Sequence, residues 1–359
     1  CRRDRTSTIS RDRSADGWAL PMPDVTTASP YLHQRFPELA KSLPHVRLGT
    51  SPTPVRKLEG LGIGDRIWLK DDSRFGSGGW GGNKVRKLEW IIPAVLARKS
   101  KRIITVGGLG TNWGLATALY AGQFGIETAL ALIDQPVDDH VRAQLARLQR
   151  SGAALHFTRT KARTFAVAPW LMVRHMKGGR LPYYLPPGGS SPIGALGYVE
   201  AALELAAQVD AGEIPEPAHI VAPVGSGGTV AGLLLGLRLA GLRTGVVAVV
   251  VNDTLPLGQR EIRDLAGRSE SLLRQRGADL GDIDLRSAPL TVTREYLGPG
   301  YGYATAEGRA AQRVGHEFGI PLDPVYTAKA FAGLLEIDAH TRGGDGPIVM
   351  LDTFGPRPD

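Results

Sequence analysis

Lys84 stands in the stretch GGNKVRKLEW, residues 81–90, where two glycines and an asparagine lead straight into a charged, flexible side chain. Gly81 and Gly82 permit backbone conformations closed to other residues and let a ligand approach the chain closely. Val85, Leu88, Ile92, Val95 and Leu96 then recur at helical spacing, so the lysine sits at the mouth of a helix. Asn83 reads as the N-cap of that helix, and Pro93 is expected to kink or shorten it. The positive end of a helix pushes an amine's pKa down, and a neutral amine attacks an aldehyde to form a Schiff base. Asn83, beside it, can donate to a phenolate oxygen. The pair is equipment for holding pyridoxal phosphate; an exposed lysine at a glycine-rich turn carries the same letters.

A second stretch, VGSGGTVAGL (224–233), follows the apolar run HIVAP and precedes an apolar helix. Gly225, Gly227 and Gly228 can expose successive backbone N–H groups, and Ser226 and Thr229 add hydroxyl donors. With a helix N-terminus behind them they form an anion cradle, in the place where open α/β sheets bind ligands. The simpler alternative is a tight strand-to-helix turn. The loop lacks the lysine of a nucleotide P-loop, so ATP is not expected. Gly76, Gly78 and Gly81 match G-x-G-x-x-G in form, but the next strand ends TVGGLG without the acidic residue a dinucleotide needs. The eight histidines show no metal spacing, and HEFG at 316–319 lacks the second histidine of a zinc helix. No catalytic metal is expected.

These groups need a scaffold, and the apolar pattern supplies one. Runs rich in β-branched residues recur: RIWL (66–69), IITV (103–106), TALALI (128–133), HIVAP (219–223), VVAVVV (246–251) and IVML (348–351). Segments of helical length lie between most of them, such as 114–125, 138–152 and 194–208. Strand alternating with helix predicts an α/β fold with parallel sheets covered by helices on both faces. The interval 158–193 breaks the rhythm and reads as a return between domains. Residues 1–30, rich in Arg, Asp, Ser, Thr and Pro, read as a mobile arm or an extended wrapping segment.

With 359 residues the chain is long enough for two domains or one large α/β unit. A net charge of +8 invites a nucleic-acid reading, but the basic residues are spread without a dense run or interleaved aromatics, so nucleic acid is not the expected partner. Cys1 is the only cysteine, which excludes an internal disulfide and suits a reducing cytoplasm. No apolar run is long enough for a membrane span, and no signal-peptide pattern is present. The chain begins with Cys rather than Met and reads as a fragment or processed form.

Taken in order, GGNKVRKLEW, VGSGGTVAGL and DPVYTAKAFAGLLE (323–336) resemble the 1-aminocyclopropane-1-carboxylate deaminase and D-cysteine desulfhydrase family. That family belongs to the tryptophan-synthase-β-like, fold type II pyridoxal-phosphate enzymes, and the resemblance runs from about residue 45 to 355. It implies two open, twisted, mostly parallel sheets flanked by helices. It also implies a large cofactor domain of 31–87 and 198–359, a small inserted domain of 88–197, and a homodimer. Lys84 would carry the cofactor and Asn83 would hydrogen-bond its ring oxygen. Gly225, Ser226, Gly227, Gly228 and Thr229 would hold its phosphate. Thr111 and Asn112 would bind a substrate carboxylate at the start of a helix, beside Trp113. Tyr326 and Tyr301 would face the substrate as acid/base or positioning groups. Thr327 would sit near the pyridine nitrogen, where a neutral partner suits β-elimination better than ring opening.

The substrate side departs from the family pattern. Thr111-Asn112-Trp113 stands where Ser-Asn followed by His or Gln is usual, SRFGSGGW before Gly81 is richer in glycine, and DTFG stands where HTGG is common. The implied activity is a lyase acting on a small amino acid, D-cysteine first, giving pyruvate and ammonia. Deamination of 1-aminocyclopropane-1-carboxylate, β-replacement, racemisation and a non-catalytic phosphate-ligand binding protein are the alternatives.

Overall fold

The computed structural model describes residues 29–62, 65–76, 81–341 and 346–355. Residues 1–28 of the expected arm, with Cys1, lie outside the described residues, as does the 77–80 part of the glycine-rich run with Gly78. The described strands are β1 (Val55–Lys57), β2 (Ile67–Asp71), β3 (Arg102–Gly108), β4 (Glu127–Ile133), β5 (Ala154–Arg159), β6 (Tyr183–Leu185), β7 (His219–Val224), β8 (Gly245–Val250), β9 (Leu290–Thr293) and β10 (Ile348–Asp352). They form a six-stranded sheet in the order β1-β2-β10-β7-β8-β9 and a four-stranded sheet in the order β5-β4-β3-β6. The ladders are parallel except that between β1 and β2.

The six apolar runs of the sequence are the strands whose both faces are covered. All six residues of β8 are buried, as are all five of β10. Continuous apolar runs are what a parallel sheet between two helical layers requires. One face of the large sheet packs on the helices Pro192–Asp210, Gly228–Ala240 and Gln259–Gln275, and the other on Thr327–Thr341. The small sheet packs against Asn112–Gln123 and the lysine helix, Asn83–Ala97.

Three local expectations are corrected. Gly82, not Asn83, occupies the N-cap position, with φ +46°, and Asn83 is the first helical residue. Pro93 does not shorten the helix, which runs through it to Ala97. The interval 158–193 contains the helix Lys161–Arg174 and β6, which joins the small sheet beside β3. A three-residue strand and a helix with much of its apolar surface exposed carry too little periodic signal to show in the sequence.

The lysine helix is anchored by buried charge. Arg86 pairs with Asp72 at 2.8 Å and Glu204 at 2.9 Å; Lys70 also pairs with Glu204, and Tyr198 donates to Asp72 at 2.7 Å. Burial pushes the Glu204 carboxyl up, but Arg86 and Lys70 outweigh it and hold Glu204 well below the usual carboxylate range. This network joins the helix that presents Lys84 to β2 and to the helix Pro192–Asp210.

Candidate active site

A cavity of about 910 Å³ lies between the carboxyl ends of β3 and β4 on one side and those of β7, β8 and β10 on the other. That is the expected ligand position in an open α/β sheet. Its wall brings together Asn83, Lys84, Thr111, Asn112, Trp113, Gly225, Ser226, Gly227, Thr229, Tyr301 and Tyr326. Residues more than two hundred positions apart in the chain therefore share one space.

Lys84 enters the cleft from the first turn of its helix. The left-handed backbone at Gly82 makes that entry possible: a Cβ there would lie 2.8 Å from the Thr353 carbonyl oxygen. Burial pushes the Lys84 ammonium down to about 8, against the opposing pull of Asp323. An amine so tuned is available as a nucleophile and as a base. Asn83 is buried and its Nδ2 lies 3.5 Å from Thr229 Oγ1, so it spans the gap between the lysine helix and the glycine loop.

The glycine loop follows β7 and opens the helix Gly228–Ala240. Gly227 has φ +87°, which turns the chain from the strand into the helix beside the cleft; Gly225, Ser226, Gly227 and Thr229 line the cleft, and Gly228 does not. A Cβ at Gly225 would lie 3.0 Å from the Tyr326 ring, so a side chain would intrude between loop and tyrosine. The Gly225 carbonyl accepts from Asn252 Nδ2 at 2.8 Å, which fixes the loop from behind. Gly228 N donates to Ser190 Oγ at 2.9 Å, and Ser190 Oγ donates to Ser226 Oγ at 2.8 Å.

Tyr301 and Tyr326 touch through their hydroxyls at 2.7 Å, with rings nearly perpendicular. Burial raises both phenols above their ordinary pKa, so each keeps its proton at neutral pH. Asp253 accepts from Tyr301 N at 3.0 Å and so holds one loop; Asp323 accepts from Tyr326 N at 2.7 Å and holds the other. Thr327 does not line this cavity. It is fully buried, and its hydroxyl donates to Asp323 Oδ2 at 2.8 Å. Asp323, Tyr326 and Thr353 are among the residues that line the cleft.

On the small-sheet side, Thr111 Oγ1 accepts from Gly114 N at 3.1 Å and caps the helix Asn112–Gln123. Asn112 begins that helix, at its positive end. Trp113 is buried, and its indole N–H donates to Thr105 Oγ1 at 2.9 Å. Its ring lies under Gly189, where a Cβ would meet it at 2.5 Å. The tryptophan is therefore a fixed floor of the site rather than a side chain reaching into it.

Sequence reasoning missed Lys87, Ser190 and Thr353. Lys87 is buried, donates to the Gly188 carbonyl at 3.1 Å, and lies 3.1 Å from a Cβ built at Gly228. Burial, with Lys84 nearby, pushes its pKa well below the ordinary lysine value. Its signal was its position one helical turn after Lys84, on the same face. Among the described residues no group of three or more His, Cys, Asp or Glu side chains is placed to hold a metal ion, and no helix is long and apolar enough to cross a membrane.

The cleft thus offers an amine of lowered pKa, an amide and hydroxyl cradle at a helix N-terminus, and a second buried amine beside it. These fit an aldehyde that carries a phosphate. The comparisons agree. Residues 46–353 match the family model described as pyridoxal-phosphate dependent enzyme. The chain is 33% identical to the D-cysteine desulfhydrase of Serratia proteamaculans over 321 residues, covering 87% of this chain and 94% of that one. It is also 33% identical to the D-cysteine desulfhydrase of Klebsiella pneumoniae over 322 residues, with the same coverage of both. A solved 1-aminocyclopropane-1-carboxylate deaminase homologue superposes with a TM-score of 0.73 at 28% identity, covering 91% of this chain and 95% of that one. O-ureido-L-serine synthase, at 16% identity and a TM-score of 0.57, shares the fold. The chain belongs to the pyridoxal-phosphate dependent enzyme family, as a fold type II lyase.

Proposed function

We propose that this lyase carries out β-elimination on a small amino acid, D-cysteine foremost, converting it with water to pyruvate, ammonia and sulfide. The observation that carries the reading is a single cavity holding the Lys84 amine, the glycine-loop cradle and a pair of protonated tyrosines. Identity to two D-cysteine desulfhydrases over most of both chains supports the substrate.

Gly225, Ser226, Gly227, Gly228 and Thr229 would bind the cofactor's phosphate, with the Lys87 amine as a further hydrogen-bond donor beside them. Asn83 would donate to the ring oxygen. Thr353 replaces Thr327 as the candidate neutral partner of the ring nitrogen, because the Thr327 hydroxyl is held by Asp323. When bound, pyridoxal phosphate supplies an electron sink for the charge that develops at the substrate's α-carbon. Thr111 and Asn112 orient the carboxylate at a helix N-terminus. Lys84 Nζ takes the α-proton. The bond from the β-carbon to sulfur breaks, and the Tyr301–Tyr326 pair provides a proton for the departing thiolate. Hydrolysis of the remaining enamine gives pyruvate and ammonia.

The test is product analysis of the cofactor-loaded enzyme with D-cysteine, L-cysteine and 1-aminocyclopropane-1-carboxylate in turn. Sulfide and pyruvate in equal amounts from D-cysteine support the proposal. 2-Oxobutanoate from the cyclopropane substrate, without sulfide from D-cysteine, would replace it with ring opening, the reading favoured by the solved deaminase homologue.

Residues 31–87 and 198–359 are proposed to act as one cofactor body and 88–197 as an inserted body across the cleft, with the enzyme working as a homodimer in the cytoplasm. The Lys161–Arg174 helix leaves Trp170 56% and Val173 63% exposed, an apolar face that a second copy would cover. Sedimentation equilibrium checks the dimer, since a monomer at micromolar concentration contradicts it.

A further inference from the structure

The helix Asp139–Arg150 packs against Gly110 and the start of the helix Asn112–Gln123. Val141 lies against Gly110, where a Cβ would meet its Cγ2 at 3.1 Å. One turn further, Gln144 Nε2 donates to Asn112 Oδ1 at 3.0 Å. Gln144 borders the cleft although it is 1% exposed. Its other polar atom, Oε1, is buried without a hydrogen-bond partner. A buried acceptor left unsatisfied is destabilising, so the favourable contact of this amide lies at its other end.

What that end does follows from the chemistry of amides. The Asn side chain has one oxygen, which accepts, and one nitrogen, which donates. Gln144 offers Asn112 a donor, so Asn112 turns its oxygen toward Gln144 and its nitrogen to the opposite side. Toward a carboxylate the nitrogen attracts and the oxygen repels. We infer that Gln144 is a positioning residue: it sets the Asn112 amide so that the donor, not the oxygen, meets the substrate's carboxylate. The inference rests on the reading above that Thr111 and Asn112 take that carboxylate.

A glutamate in place of Gln144 makes the opposite demand. When ionised it only accepts, and Asn112 must turn over to donate to it. When neutral it donates through its O–H, as glutamine does. The experiment compares Asn112→Ala, Gln144→Leu and Gln144→Glu in the cofactor-loaded enzyme across a pH series. D-cysteine turnover is one readout. The amino-acid dependence of the bound cofactor's visible absorption, and the melting temperature, are two others.

Gln144→Glu is expected to raise KM and the spectroscopic Kd by about ten- to a hundredfold with kcat nearly unchanged. The defect should deepen as pH rises and fade as the new carboxyl is protonated. Gln144→Leu should raise KM less, with no such trend. Equal effects of Leu and Glu, or loss of kcat and melting temperature together with no pH trend, overturn the positioning role while leaving the site reading intact. Should Gln144→Glu not fold, Gln144→Met must still raise KM more than it lowers kcat, and an unchanged KM overturns the inference. If Asn112→Ala itself leaves KM and Kd unchanged, the carboxylate reading falls and the inference with it.

Discussion

On the large-sheet wall of the cleft, Asp323 accepts hydrogen bonds from Val325 N, Tyr326 N, Thr327 N and Thr327 Oγ1, while Asn252 and Ser190 tie the glycine loop. On the small-sheet wall, Gln144 keeps a buried oxygen without a partner while it holds Asn112. On the function proposed above, the first wall would hold a guest that stays and the second one that comes and goes. Pre-organised groups favour a permanent cofactor because ordering costs are met during folding. The Thr111-Asn112-Trp113 departure from the motifs this chain resembles lies on the small-sheet wall, while DTFG ends β10 on the large-sheet wall.

That contrast can be broken by single substitutions, and the largest effect belongs to Lys84. Lys84→Ala removes both the amine that would hold the cofactor and the base, and D-cysteine turnover should fall by several orders of magnitude while the fold survives. Full turnover in that variant would contradict the assignment. Arg86→Leu leaves the Asp72 and Glu204 carboxylates buried without their guanidinium. It should destabilise the protein by about 3–5 kcal/mol, read by denaturant unfolding, although Arg86 does not line the cleft.

Trp113→His tests the other wall. It hollows the floor beneath Gly189 and should cost less than the about 3–5 kcal/mol of a full truncation. KM for D-cysteine should change while the cofactor's absorption does not; a lost cofactor band would erase the distinction between the walls.

A pH series sharpens the cofactor side. Below a pKa of about 8 the Lys84 amine is mostly protonated and cannot attack an aldehyde. Capture of pyridoxal phosphate by the apoenzyme should therefore quicken by about tenfold per pH unit up to that point and level off above it. A rate that keeps rising tenfold per pH unit well above pH 8 would mean the amine is not desolvated. The smallest effect is expected from Thr327→Val, which removes one hydroxyl from the Asp323 loop. Stability should drop by about 1 kcal/mol with the cofactor spectrum unchanged; a spectral shift would return Thr327 to the ring nitrogen.

The parts legible in the sequence were those with dense local signals. Val246–Val251 marks a central strand, and the glycines at 225, 227 and 228 mark the turn from strand to helix beside the cleft, because both patterns are short and contiguous. What stayed hidden depended on contacts between distant segments. The sequence does not show that the Thr327 hydroxyl is held by Asp323, four residues earlier. Asn83 looked like an N-cap until the close approach of Thr353 required a left-handed glycine there instead. β5 and β9 escaped notice because they are edge strands with mixed burial and no clean apolar run. Gln144 carries no motif at all, since its meaning lies in one hydrogen bond across 32 positions and one oxygen without a partner.

The most direct measurement is the visible absorption of the purified protein titrated with pyridoxal phosphate, in wild type and Lys84→Ala, followed by D-cysteine. The expected result is a band of the lysine-bound cofactor in wild type only, which D-cysteine then shifts as pyruvate appears. The same band in both proteins, or none in wild type, would contradict Lys84 as the residue that holds the cofactor.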